Sequence, residues 1–118
     1  MKKFLVILVL AFLINTNANA TLINCKVDKA FKCESNGCNE LNSEISINID
    51  TKEETYQRDD NKNIKTYDLH IYKSGNFVIA EVGESTLFKM NTQNDKNFVE
   101  ITYLGLSTYN NFGLCKFN

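Results

Sequence analysis

Four cysteines are the most reactive residues in this chain: Cys25, Cys33, Cys38 and Cys115. Thiolates can hold zinc, exchange electrons, attach haem or pair as disulfides, and each use has its own spacing. The intervals here are Cys25-x7-Cys33-x4-Cys38-x76-Cys115. No Cys-x-x-Cys is present, so the thioredoxin-type centre is excluded, and so is covalent haem attachment through Cys-x-x-Cys-His. Structural zinc sites use paired knuckles two to four residues apart. Only Cys33 and Cys38 come near that, and His70 is the sole histidine. An even number of cysteines in an exported chain predicts two disulfides.

Spacing alone leaves three connectivities open. The favoured pairing is Cys33–Cys38 with Cys25–Cys115. The residues between Cys33 and Cys38, "ESNG", include a Ser-Asn-Gly turn suited to a local clip. The second bridge then joins the two ends of the domain. In the chain-entropy model the long bridge stabilises by roughly 4–5 kcal/mol and the short one by roughly 2 kcal/mol, as upper figures.

Other reactive side chains form no recognisable constellation. On a strand, Asp68, His70 and Tyr72 share one face. An Asp–His pair could orient a general base, but no nucleophile stands beside it, and a solvated strand face is the simpler reading. "DDNKNI" places Asp59, Asn61 and Asn63 like the start of a calcium loop. Ile64 then occupies the required glycine position and His70 the required glutamate position. A hairpin turn is expected there. Glu53, Glu54, Glu81 and Glu84 show no paired-carboxylate spacing and read as surface acids. Tyr56, Tyr67, Tyr72, Tyr103 and Tyr109 read as core or rim residues. The five glycines are isolated, so no phosphate-cradling loop is expected. No catalytic residue, cofactor site or metal site is expected.

What must position these residues begins after a leader. "MKK" is followed by an eleven-residue apolar run, Phe4 to Ile14, and by a polar segment ending Ala18-Asn19-Ala20. That layout predicts a secretory signal peptide over 1–20, cleaved after Ala20. The run is short for a membrane span, which needs roughly 17–25 residues. The mature chain, 21–118, is then one domain, expected in the periplasm or released from the cell. Such a length buries roughly 60–65% of its unfolded surface, a thin margin that disulfides would widen. Without Lys2 and Lys3, 11 basic residues face 14 acidic ones, a net charge of −3. That balance argues against nucleic acid and anionic lipid as partners. No membrane insertion is expected after cleavage.

The mature sequence alternates as strands do. "EISINID" puts Ile45, Ile47 and Ile49 on one face, and "IKTYDLHIYK" does the same for Tyr67, Leu69 and Ile71. "FVEITYL" sets Val99, Ile101 and Tyr103 against Phe98, Glu100, Thr102 and Leu104. "EETYQR", "FVIAEV", "TLFKM", "LSTYNNF" and "LCKF" complete the set, with turns between them. A short helix near "CNELNSEI", capped by Asn39, is also expected. Short strands separated by short turns predict an all-β antiparallel meander of about seven or eight strands. Closure into a small barrel or folding into a two-sheet sandwich would protect its edges. A Cys25–Cys115 bridge would place the first and last strands side by side, as barrel closure requires.

The segments "YKSGNF" through "LFKM" and "FVEITYLGLSTYNNFGLC" resemble a family of small exported Gram-negative proteins without assigned activity. The shared positions are Ser74, Gly75, Lys89, Phe98, Val99, Glu100, Gly113 and Cys115. They cover about half of the mature chain. The resemblance implies a compact disulfide-bonded β-domain and no chemistry. The chain is also similar, more weakly, to periplasmic inhibitors of C-type lysozyme, which carry a Ser-Gly-x-x-Tyr loop. Ser74 and Gly75 match; Val78 stands at the tyrosine position and no tryptophan follows. The expected function is therefore non-enzymatic binding of a protein or small ligand in the envelope or outside the cell. The alternative is inhibition of a hydrolase such as lysozyme or a protease. The loop Lys73, Ser74, Gly75 and Asn76 is the candidate binding element in either case.

Overall fold

The computed structural model describes residues 21–61 and 63–117. The leader expected over 1–20 lies outside the described residues. The fold is all-β: an antiparallel barrel of eight strands with one additional strand. In chain order the strands are β1 (Leu22–Glu34), β2 (Gly37–Leu41), β3 (Ser46–Asp50), β4 (Thr55–Asp59), β5 (Ile64–Ser74), β6 (Phe77–Val82), β7 (Thr86–Asn91), β8 (Asn97–Leu104) and β9 (Ser107–Phe117). The order β1-β3-β4-β5-β6-β7-β8-β9 closes because β1 also pairs with β9. Barrel closure is thus the outcome, not the sandwich. β2 hangs outside it on the far half of β1.

Both disulfides form as favoured, Cys25–Cys115 and Cys33–Cys38. Each joins residues directly opposite on neighbouring antiparallel strands. The first ties β1 to β9 along the closing seam, so the first and last strands lie side by side. The second clips the β1–β2 hairpin. The short helix expected over 38–45 is absent. Cys38 faces Cys33 in extended register, so 37–41 is drawn out as β2 and cannot coil.

The alternating isoleucines do what period two predicts. Ile47 and Ile49 enter the core with Ile23, Tyr56, Leu69, Val78, Ala80, Val82, Phe88, Met90 and Phe98. Ile45, Tyr67 and Ile71 pack against its margin. Phe88 is fully buried there, stacked on Phe98 at 5.3 Å and edge-on to Tyr56 at 5.8 Å. A filled interior is what an eight-stranded barrel allows, because its diameter accommodates side chains and little more.

Gly113 does more than punctuate the C-terminal segment. It lies within β9 opposite Val27, where β1 carries a register shift between Val27 and Lys29. A Cβ there would stand 1.9 Å from the Lys26 carbonyl oxygen. The seam closes only because this position has no side chain.

Candidate functional site

The sequence-predicted loop lies at the tip of the β5–β6 hairpin. Ser74 pairs with Phe77 across a two-residue turn, Gly75–Asn76. Gly75 takes φ 63, the left-handed value that the first residue of a type II′ turn requires. Lys73, Ser74, Gly75 and Asn76 are all exposed.

Beside this hairpin the barrel wall is notched. β4 pairs with β5 only as far as Thr55 opposite Asp68. From Leu69 to Ser74, β5 pairs with β6 alone. The chain across the gap is the β3–β4 turn, held to the start of β1. There the Thr51 N–H and hydroxyl both donate to the Thr21 carbonyl at 3.0 Å, and Thr21 N–H donates to Thr51 Oγ1 at 3.1 Å.

The notch opens into a cup of about 590 Å³ at this end of the barrel. Ile23, Ile71, Val78 and Phe117 form its apolar wall, while Thr21, Thr51, Thr92, Tyr72 and Lys73 bring polar groups. Lys73 is the only formally charged residue in the lining, and no acidic partner reaches it among the described residues. A concave, mainly apolar recess with a few polar groups is the usual form of a ligand site, and barrel mouths are a common place for one.

The opposite half of the interior holds a buried polar cluster that the sequence reading did not bring together, although it named Glu100 among the shared positions. Glu100 is fully buried. Its Oε2 accepts from the Tyr56 hydroxyl at 2.5 Å and lies 2.6 Å from Arg58 Nη2. Its Oε1 accepts from Asn111 Nδ2 at 2.7 Å. Arg58 Nη2 also donates to Thr102 Oγ1 at 3.3 Å, and Thr102 meets Thr86 at 2.9 Å. In a ring of eight strands, β4 and β8 stand opposite each other. The Arg58–Glu100 pair therefore spans the barrel interior. With both carboxylate oxygens engaged and no solvent access, Glu100 is an internal clasp, not a group offered to a substrate. One signal was available: Arg58 is the only arginine among 13 basic residues, and arginine is the residue suited to partly buried carboxylate pairs.

Burial raises the Tyr56 pKa well above 10.0, and the charge and hydrogen bond of Glu100 push it the same way. Burial alone would lower the Arg58 pKa, but Glu100 more than reverses this and leaves it raised. For Tyr56 the folded state holds its proton at pH values where the unfolded chain, near 10, has released it. This contribution is full below about pH 10 and is lost as pH rises through the folded-state value. Urea midpoints measured from pH 8 to 11.5 should therefore fall steeply above about pH 10. Tyr56→Phe, less stable throughout by about 1–2 kcal/mol, should fall less steeply. Parallel curves would show that Tyr56 is not the linked group.

The remaining candidates stay apart. His70 is exposed on the outside of β5, tilted against Tyr72 at 5.5 Å and opposite Glu81 on β6. Asp59 and Asp60 are used within their own turn. Asp59 Oδ1 accepts from Asn61 N–H, and Asp60 Oδ1 accepts from Asn63 N–H. Glu53 and Glu54 lie in the β3–β4 turn, Glu81 on β6 and Glu84 in the β6–β7 turn, all exposed. Among the described residues no group of three or more His, Cys, Asp or Glu is placed to hold a metal ion. No helix of the described residues is long and apolar enough to cross a membrane. Comparison of the chain with protein-family models, curated proteins and solved structures found no match.

Proposed function

We propose that this protein is an exported, non-catalytic binding domain that seats an apolar group of its ligand in the cup between β5 and the β3–β4 turn. The observation that carries this reading is the cup itself. The centre of the barrel is filled with side chains, and the recess walled by Ile23, Ile71, Val78 and Phe117 is a mainly apolar opening at its end that takes in Lys73 of the exposed Lys73–Asn76 loop. Two disulfides point to an oxidising compartment outside the cytoplasm. A leader over 1–20, as the sequence pattern predicts, would export the chain to the periplasm, with release from the cell as the alternative.

The apolar probe N-phenyl-1-naphthylamine tests the reading. Its fluorescence should rise on binding to the wild-type protein. It should stay near the free-probe level with Ile71→Glu, which puts a charge on a half-buried wall position. Circular dichroism checks that the variant keeps its sheet. No rise with wild type, or an equal rise with the folded variant, would remove the cup as the binding site.

A further inference from the structure

The notch beside the cup exposes a strand edge as well as an apolar wall. In the β5–β6 hairpin the residues closing a two-residue turn, Ser74 and Phe77, form a hydrogen-bonded pair, and bonded pairs then alternate along the ladder. Tyr72 and His70 accordingly bond towards β6. Leu69, Ile71 and Lys73 direct their backbone groups the other way. Two contacts agree with this phase. Asp68 accepts from Gly83 N–H on the β6 side, while Leu69 N–H donates to Glu54 on the β4 side. Beyond Leu69, β4 has ended. The N–H and C=O groups of Ile71 and Lys73 therefore face the notch without a backbone partner among the described residues.

Two donors and two acceptors repeating every second residue match an extended polypeptide backbone, which can add to such an edge as a further strand. The surroundings narrow the chemistry. The adjoining recess is apolar, and its only formally charged lining residue is Lys73. We propose that the ligand is an extended peptide segment that pairs with β5 at Ile71 and Lys73, places one apolar side chain in the cup and sets a carboxylate near Lys73 Nζ. This rests on the reading of the cup as the ligand site and names its ligand class.

The test uses the exported protein and a fluorescein-labelled hexapeptide of alternating valine and threonine ending in aspartate. A second copy of the peptide carries N-methyl groups on two alternate residues, those whose N–H groups would face Ile71 and Lys73. In the free protein, hydrogen exchange should be fast at the Ile71 and Lys73 amides and slow at Tyr72. The parent peptide should bind, displace the naphthylamine probe and slow exchange at Ile71 and Lys73. The N-methylated peptide, lacking two backbone donors, should bind at least about tenfold more weakly. Lys73→Gln should weaken the aspartate peptide but not its C-terminal amide with asparagine in place of aspartate.

If the probe binds but neither peptide does, or both peptides bind equally, the strand-addition inference fails while the cup still stands as a ligand site. If neither probe nor peptide binds, both fail. Slow exchange at Ile71 without peptide would mean that the edge is already covered, by a second copy or by residues preceding Thr21, and would also overturn the inference.

Discussion

Replacing both Cys25 and Cys115 by alanine should lower the melting temperature by on the order of 20 °C. Replacing Cys33 and Cys38 should cost less than half of that. The reason is loop length. The first bridge spans a sequence separation of 90 and the second a separation of 5. Their restrictions on the unfolded chain differ accordingly, roughly 4–5 against roughly 2 kcal/mol in the chain-entropy model. For a domain of this size each kcal/mol shifts the melting temperature by about 4–8 °C.

Place in the fold widens the difference. Cys25 and Cys115 are buried on the β1–β9 seam, so their removal also leaves a void in the core. Cys38 is exposed, on a hairpin outside the barrel. Mild reduction of the native protein should accordingly open Cys33–Cys38 first, as peptide mapping after alkylation would show. Equal losses of stability from the two double variants would mean that the seam bridge does not govern closure.

Glu100→Leu should destabilise the protein by about 3–5 kcal/mol, enough to threaten folding of a chain this small. The substitution removes the acceptor for Tyr56, Arg58 and Asn111 at once, and leaves a largely buried guanidinium without its counter-charge. The penalty comes mainly from the group left behind. Arg58→Met combined with Glu100→Leu should therefore be markedly more stable than Glu100→Leu alone, despite carrying one change more. Urea denaturation of the three variants reads this directly. A double variant no better than the single one would show that Glu100 acts through packing and not through its pairing with Arg58.

Local patterns revealed much of this fold. Ile47 and Ile49, and Leu69 on its strand, lie in the core as their alternation predicts, because strand side chains point to opposite faces whatever the partner strand. The Gly75 turn follows from a requirement within two residues. The cysteine framework was legible through count and intervals.

"FVEITYL" shows where local pattern stops. Its period was clear, yet the face carrying Phe98 and Glu100 turned inward, while Val99 and Ile101 are only half-buried and Tyr103 is exposed. Alternation gives two faces and does not say which is buried when both are partly apolar. That choice depended on Arg58, Tyr56 and Asn111 on other strands, 42, 44 and 11 residues away, which make a buried carboxylate tolerable.

An all-β chain with short turns and two disulfides was legible from the residues alone. These properties follow from period, turn residues and cysteine number, all of which act locally or by count. The tertiary structure alone decided closure into a barrel, the glycine contact at the seam, the Arg58–Glu100 clasp and the notch beside β5. Each of these depends on the distance between strands far apart in the chain. The notch, with its unpaired strand edge and apolar cup, arises because β4 begins at Thr55 while β5 runs on to Ser74. That mismatch appears only when the two strands are laid in register.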